Sequence, residues 1–102
     1  MRADRLPGAM AAVLAAPAAV AHPVLAKVAA ERQRQDEKWG GPAHDDSHAT
    51  ADFVQLIQDY AAWARVMAGM GSPDKARRRL VQAAALAVAA AESIDRQYGA
   101  QG

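Results

Sequence analysis

SPDKARRRLVQAAALAVAAAESIDRQY, residues 72–98, sets Ser72 at a helix N-cap, Pro73 at the first helical position and Asp74 in the first turn. Nothing in it breaks a helix before Gly99, a residue suited to closing one. The stretch therefore predicts one unbroken helix. Leu80, Ala84, Ala87, Ala91, Ile94 and Tyr98 recur along one face, and Val81, Ala85, Val88 and Glu92 along an adjacent one. Residues 83–91 are almost all small or aliphatic. This helix is expected at the centre, contacted from more than one side.

Two further helices precede it. Thr50 is an acceptable N-cap and Asp52 falls in the first turn, where the helix dipole favours an anion. Phe53, Leu56, Ile57, Tyr60, Ala61, Ala64 and Met67 then recur at spacings of three and four, giving an amphipathic helix that ends by Gly69 to Gly71. Earlier, Pro23 suits the first turn of a helix. That helix carries a stripe of Val24, Val28 and Ala29, flanked by Leu25 and Lys27, and runs to about Lys38 before Gly40-Gly41-Pro42. Its second half, Glu31 to Lys38, is polar throughout, so it projects into solvent or lines a polar cleft. No segment alternates with period two. The fold class is all-α: a small bundle of three main helices.

A chain of 102 residues is read as one domain. Its apolar fraction is 52%, but much of that is alanine, which buries little area per residue. Self-association into a homo-oligomer is expected to extend so thin a core. A net charge of +1 makes no case for nucleic acid or an anionic membrane as partner. The absence of cysteine excludes disulfides, thiolate zinc sites and cysteine nucleophiles. No apolar run reaches bilayer length. Residues 1–22 loosely imitate a signal peptide ending at Ala19-Val20-Ala21, but Asp4, Pro7 and Pro17 spoil the pattern. They are read as an alanine- and proline-rich extension, partly helical, with Met10 as an alternative start.

Candidate chemistry lies in the polar stretches. Glu92 and Asp95 are three apart, so their carboxylates leave one side of the helix. With acids from a neighbouring helix they would make an oxygen-ligand site for Mg²⁺; the plainer reading is a surface pair neutralised by Arg96. Glu31 is the natural partner if the first and last helices pack antiparallel; otherwise it pairs locally with Arg34 or Gln35. His44, Asp45, Asp46 and His48 form a dense cluster. Two imidazoles and a carboxylate there suit a transition metal if the segment folds into a turn. Alternatively, Asp45 or Asp46 caps a helix and His44 anchors a loop. Arg32, Arg34 and Lys38 are candidate phosphate ligands, and Trp39 either stacks on a base or closes a helix end. Trp63 reads as packing. Arg77, Arg78 and Arg79 spread round their helix as a solvated face or dimer contact. No glycine-rich phosphate loop and no serine elbow is present.

The run Ala29-Ala30-Glu31-Arg32-Gln33-Arg34-Gln35-Asp36 with Lys38-Trp39-Gly40, then His44-Asp45-Asp46, resembles small proteins of bacteriophages and prophages described as MazG-like or NTP-pyrophosphohydrolase-like. Residues 80–88 leading to Glu92-Ser93-Ile94-Asp95-Arg96 extend the likeness, which covers residues 24–98. The resemblance implies a cytoplasmic protein of a bacterial host. It also implies an α-helical bundle in which a Glu-x-x-Glu pair and a later Glu-x-x-Asp pair hold Mg²⁺ on a nucleoside triphosphate while water attacks. Glu92 and Asp95 match the later pair. The earlier pair is not matched, since Gln55 follows Asp52 and Arg34 follows Glu31 at that spacing. Two expectations follow. In one, Glu31, Glu92 and Asp95 are catalytic, with Asp45 or Asp46 completing the Mg²⁺ site and Arg32 or Arg34 neutralising phosphate. In the other, the cleft binds or sequesters a nucleotide without cleaving it, or the chain is a helical protein-interaction module.

Overall fold

The prolines at positions 23, 42 and 73 each begin a helix in the computed structural model, which describes residues 22–99. At the first helical position a proline gives up no hydrogen bond and arrives with its φ already set. The elements are α1 (Pro23–Trp39), α2 (Pro42–Asp46), α3 (Thr50–Gly69) and α4 (Pro73–Tyr98), with no strand among the described residues. The fold is the all-α bundle the sequence predicts. The proposed extension over residues 1–22 falls outside the described residues except for His22.

The five-residue α2 replaces a predicted loop. The chain turns into it through Gly40 (φ 102°) and Gly41 (φ 72°, ψ −148°), the second in a region that only glycine enters at low cost. At the other main turn, Ser72 N–H donates to the Met67 carbonyl and Gly71 N–H to the Ala68 carbonyl. These bonds close α3 in a Schellman motif. Ser72 occupies the N-cap of α4 as predicted, but its hydroxyl makes no capping bond. The N-cap of α3 is Ala49 rather than Thr50; Asp52 holds that end by accepting the Ala49 N–H at 3.2 Å.

Helix α4 is central, and the other three helices all pack on it. Helix α3 is antiparallel to it. Phe53, early in α3, clusters with Leu86, Ala89 and Ala90, late in α4, with Trp39, Ile57 and Tyr60 against the edge. At the far end the Arg79 guanidinium lies 3.5 Å over the Trp63 ring. Helix α1 is parallel to α4. Val24 and Val28 share a groove with Arg77, Leu80, Val81 and Ala84, while Arg32 and Asp36 share one with Val88 and Glu92, so residue numbers rise together. The antiparallel arrangement considered for Glu31 is thereby corrected.

The buried face of α4 also differs from the expected ones. Ala76, Ala83, Ala85, Leu86, Ala89, Ala90 and Ser93 are buried, whereas Leu80 is 56% and Tyr98 72% exposed. Close approach of two backbones selects for small side chains, so alanine, not leucine, marks the contact. In α1 only Val28 and Gln35 are buried, and Val24 stands exposed. Helix α3 buries Phe53 and Ala64 but leaves Leu56 exposed. No helix among the described residues is long and apolar enough to cross a membrane.

Candidate functional site

Arg32 sits halfway along α1 on the side facing α4. Its Nη1 donates to Asp36 Oδ1 at 3.0 Å, and its Nη2 to Glu92 Oε1 at 3.2 Å, with Asp45 Oδ2 at 3.7 Å. One guanidinium thus stands among three carboxylates from three helices. Its own side chain is only 14% exposed and that of Asp45 7%. Burial of Asp45 without a nearby cation would be costly, so Arg32 accounts for how this acid is tolerated.

Asp46 has a different task. It accepts from the buried Ser93 hydroxyl at 2.7 Å and from Arg96 through Nε at 3.2 Å and Nη2 at 2.8 Å. Gln97 Nε2 donates to Ser93 Oγ at 2.8 Å. The Arg96 bonds, then the Ser93 bond, hold the Asp46 carboxyl below its ordinary range. Asp46 is the tie that docks α2 on α4.

Between α1, α2, the start of α3 and α4 lies a cleft of about 230 Å³. Trp39, Phe53, Leu56, Leu86 and Ala89 form its apolar wall, and Arg32, Gln35, His44, Asp45, His48 and Asp52 its polar one. The Trp39 and His44 rings are stacked at 6.1 Å and 22°. Two acceptors on the polar side, Gln35 Oε1 and Asp45 Oδ2, are covered from solvent and make no hydrogen bond. Both atoms are closed off from the cleft as from solvent, and Arg32 Nη2 stands 3.7 Å from the second.

The candidate acids are separated by this geometry. Glu31 accepts two bonds from Arg34, at 2.9 and 2.6 Å, and one from Gln35 at 3.1 Å. The Arg34 bonds lower its pKa against an opposing push from burial. It lines a groove with Lys27, Asp74, Arg77 and Arg78, apart from Glu92. This is the parallel packing of α1 expressed at one side chain: Arg32, not Glu31, is the residue that reaches Glu92. Asp95 is exposed, with its carbonyl accepting the Gly99 N–H. Lys38 Nζ lies 5.5 Å from the centroid of the adjacent Trp39 ring.

A Mg²⁺ ion needs several carboxylate or water oxygens disposed octahedrally about one point. As arranged, the acids do not supply that cage. Asp45 and Glu92 meet at a guanidinium, and Glu31 and Asp46 are engaged by Arg34 and Arg96. Among the described residues no three His, Asp or Glu side chains gather as a metal-binding group.

Several site residues lay outside the sequence-based set. Gln35 is legible only as a polar residue one helical turn after Glu31. Ser93 and Arg96 share an i, i+3 spacing on α4 that reads equally well as surface. Phe53 and Leu56 read from the sequence only as part of the apolar face of their helix. No protein-family model, curated protein or solved structure matches this chain.

Proposed function

We propose that the chain captures a nucleotide, holding its base in the cleft beside Trp39 and His44, without cleaving it. The observation that carries this reading is a cleft that sets the Trp39, His44 and Phe53 rings beside the polar side chains of Gln35, His48 and Asp52. A nucleobase brings flat π-surface and N–H donors together, and stacking on one aromatic side chain is worth about 1–3 kcal/mol. A cleft of about 230 Å³ suits a base, with the sugar and phosphates outside. Capture is favoured over Mg²⁺-dependent pyrophosphohydrolysis because the candidate metal ligands Glu31, Asp46 and Glu92 each accept a hydrogen bond from an arginine.

The test is a calorimetric titration with a panel of NTPs and dNTPs, with and without Mg²⁺, followed by chromatography of the mixtures. Capture requires binding without release of monophosphate and pyrophosphate, weakened about tenfold or more by Trp39→Leu. Turnover abolished by Glu92→Gln would replace capture with the hydrolase reading. Failure of every nucleotide to bind would leave a helical interaction module.

A further inference from the structure

The short helix α2 runs into a further turn: His48 N–H donates to the Asp45 carbonyl at 3.2 Å, and Ser47 Oγ to the His44 carbonyl at 2.6 Å. His44 and His48 therefore fall on the same side, one turn apart. Their rings are 4.6 Å apart, and their Nε2 atoms face each other at 3.2 Å. Each Nδ1 faces a carboxylate: His44 Nδ1 lies 3.4 Å from Asp45 Oδ1, and His48 Nδ1 3.8 Å from Asp52 Oδ2. Trp39 stacks against the first ring, and Phe53 meets the second edge-on at 6.2 Å.

The Nε2–Nε2 contact and the His44 Nδ1–Asp45 contact are at hydrogen-bond distance, whereas His48 Nδ1 and Asp52 Oδ2, at 3.8 Å, are only an ion-pair distance apart. With both Nδ1 atoms protonated toward their carboxylates, two Nε2 lone pairs point at each other. A metal ion between them resolves the conflict. Two imidazole nitrogens about 2.0–2.1 Å from a tetrahedral ion stand about 3.3 Å apart, close to the observed separation. An Nδ1–H turned to a carboxylate is also the arrangement that orients metal-bound histidines.

We propose that His44 and His48 form a two-imidazole site for a borderline divalent metal of the Zn²⁺, Ni²⁺ or Cu²⁺ type, with Asp45 and Asp52 orienting the rings. Both histidines line the cleft, with side chains 36% and 44% exposed, so the remaining coordination positions open to water or a bound anion. The nitrogen donors disfavour Mg²⁺, which takes oxygen ligands. The proposal does not rest on nucleotide capture, although His44 also borders the proposed base cleft, and it is tested without nucleotide.

Full-length protein stripped with EDTA is titrated calorimetrically with ZnCl₂, NiCl₂ and MgCl₂, and the imidazole nitrogens are followed by ¹H–¹⁵N NMR. The expected result is one Zn²⁺ per chain bound at micromolar concentration, no response to Mg²⁺, and both rings in the Nδ1–H form with shifted Nε2 signals. His44→Gln and His48→Gln each abolish binding, while His22→Gln leaves it intact. Asp52→Asn, on a side chain 62% exposed, weakens it about 10–100-fold with helicity unchanged. Zn²⁺ affinity unaltered in both histidine variants, or no binding below millimolar metal, overturns the proposal. The second result would identify the pair as two imidazoles sharing a proton.

Discussion

Arg32 and Glu92, sixty residues apart in the chain, meet at 3.2 Å between Nη2 and Oε1. The same guanidinium neutralises the buried Asp45. Replacing it with methionine keeps the apolar stem and removes the charge. Asp36 and Glu92 are 37% and 52% exposed and lose little. The cost arises at Asp45 and is expected to be about 2 kcal/mol in urea unfolding, with unchanged m-value. Adding Asp45→Asn should recover part of it. Independent, additive losses in the double mutant would show that the two side chains are not coupled.

The tie between α2 and α4 carries its own acid sensitivity. Asp46 is held below its ordinary value of 3.8, chiefly by Arg96 and then by Ser93. A depressed carboxyl stabilises the fold fully above that ordinary value and ceases to do so as pH falls through the folded-state value. Arg96→Gln should therefore lower the urea midpoint at pH 7. The gap from wild type should narrow progressively below pH 3.8. A gap constant from pH 7 to pH 2 would assign the loss to something other than the Asp46 charge.

Two leucines six residues apart on α4 should behave in opposite ways. Leu86 is 2% exposed, and Leu86→Ala is expected to cost about 3 kcal/mol, a large share of the stability of a chain this size. Leu80 is 56% exposed, and Leu80→Ala should change stability by less than about 0.5 kcal/mol. A Leu80→Ala loss that grows with protein concentration would instead identify Leu80 as a contact between copies.

The turn into α2 should tolerate no side chain at its second glycine. Gly41→Ala meets no atom within 4 Å, so its cost is purely conformational, about 1–3 kcal/mol. Gly69→Ala, in the last turn of α3 and equally free of contacts, should leave the protein unchanged or stabilise it by up to about 1 kcal/mol. In thermal melts the Gly41→Ala midpoint should fall, whereas the Gly69→Ala midpoint should hold or rise.

The helices were legible because their boundaries are written in single residues: Pro23 and Pro73 at first turns, Gly40 and Gly71 past last ones. Which side of α4 is buried was not. Alanine lies in every direction round that helix, and hydropathy then points to Leu80, while packing chose the small residues that let α3 and α1 approach. Helix α2 was missed because five residues leave no periodicity to read. Of the site, Arg32, Trp39, His44, Asp45 and Glu92 were recognisable as unusual residues in a polar stretch or on a helix end. Their grouping was not, because it depends on α1 running parallel to α4, and no local pattern records the relative direction of two helices. The partners that occupy Glu31 and Asp46 follow from the same undetermined geometry.

That parallel pairing also orders the chain in time. Helices α3 and α4 meet across a short turn, so their contacts close early and at little entropic cost, whereas α1 reaches Glu92 only after the whole intervening chain is arranged. With Val28 and Gln35 as its buried residues, α1 is the first element expected to detach, taking Arg32, Gln35 and Trp39 with it. Amide protons of α1 should exchange with solvent faster than those at the middle of α4. A ligand seated in the cleft would slow them, which makes the least anchored helix also the one that reports occupancy.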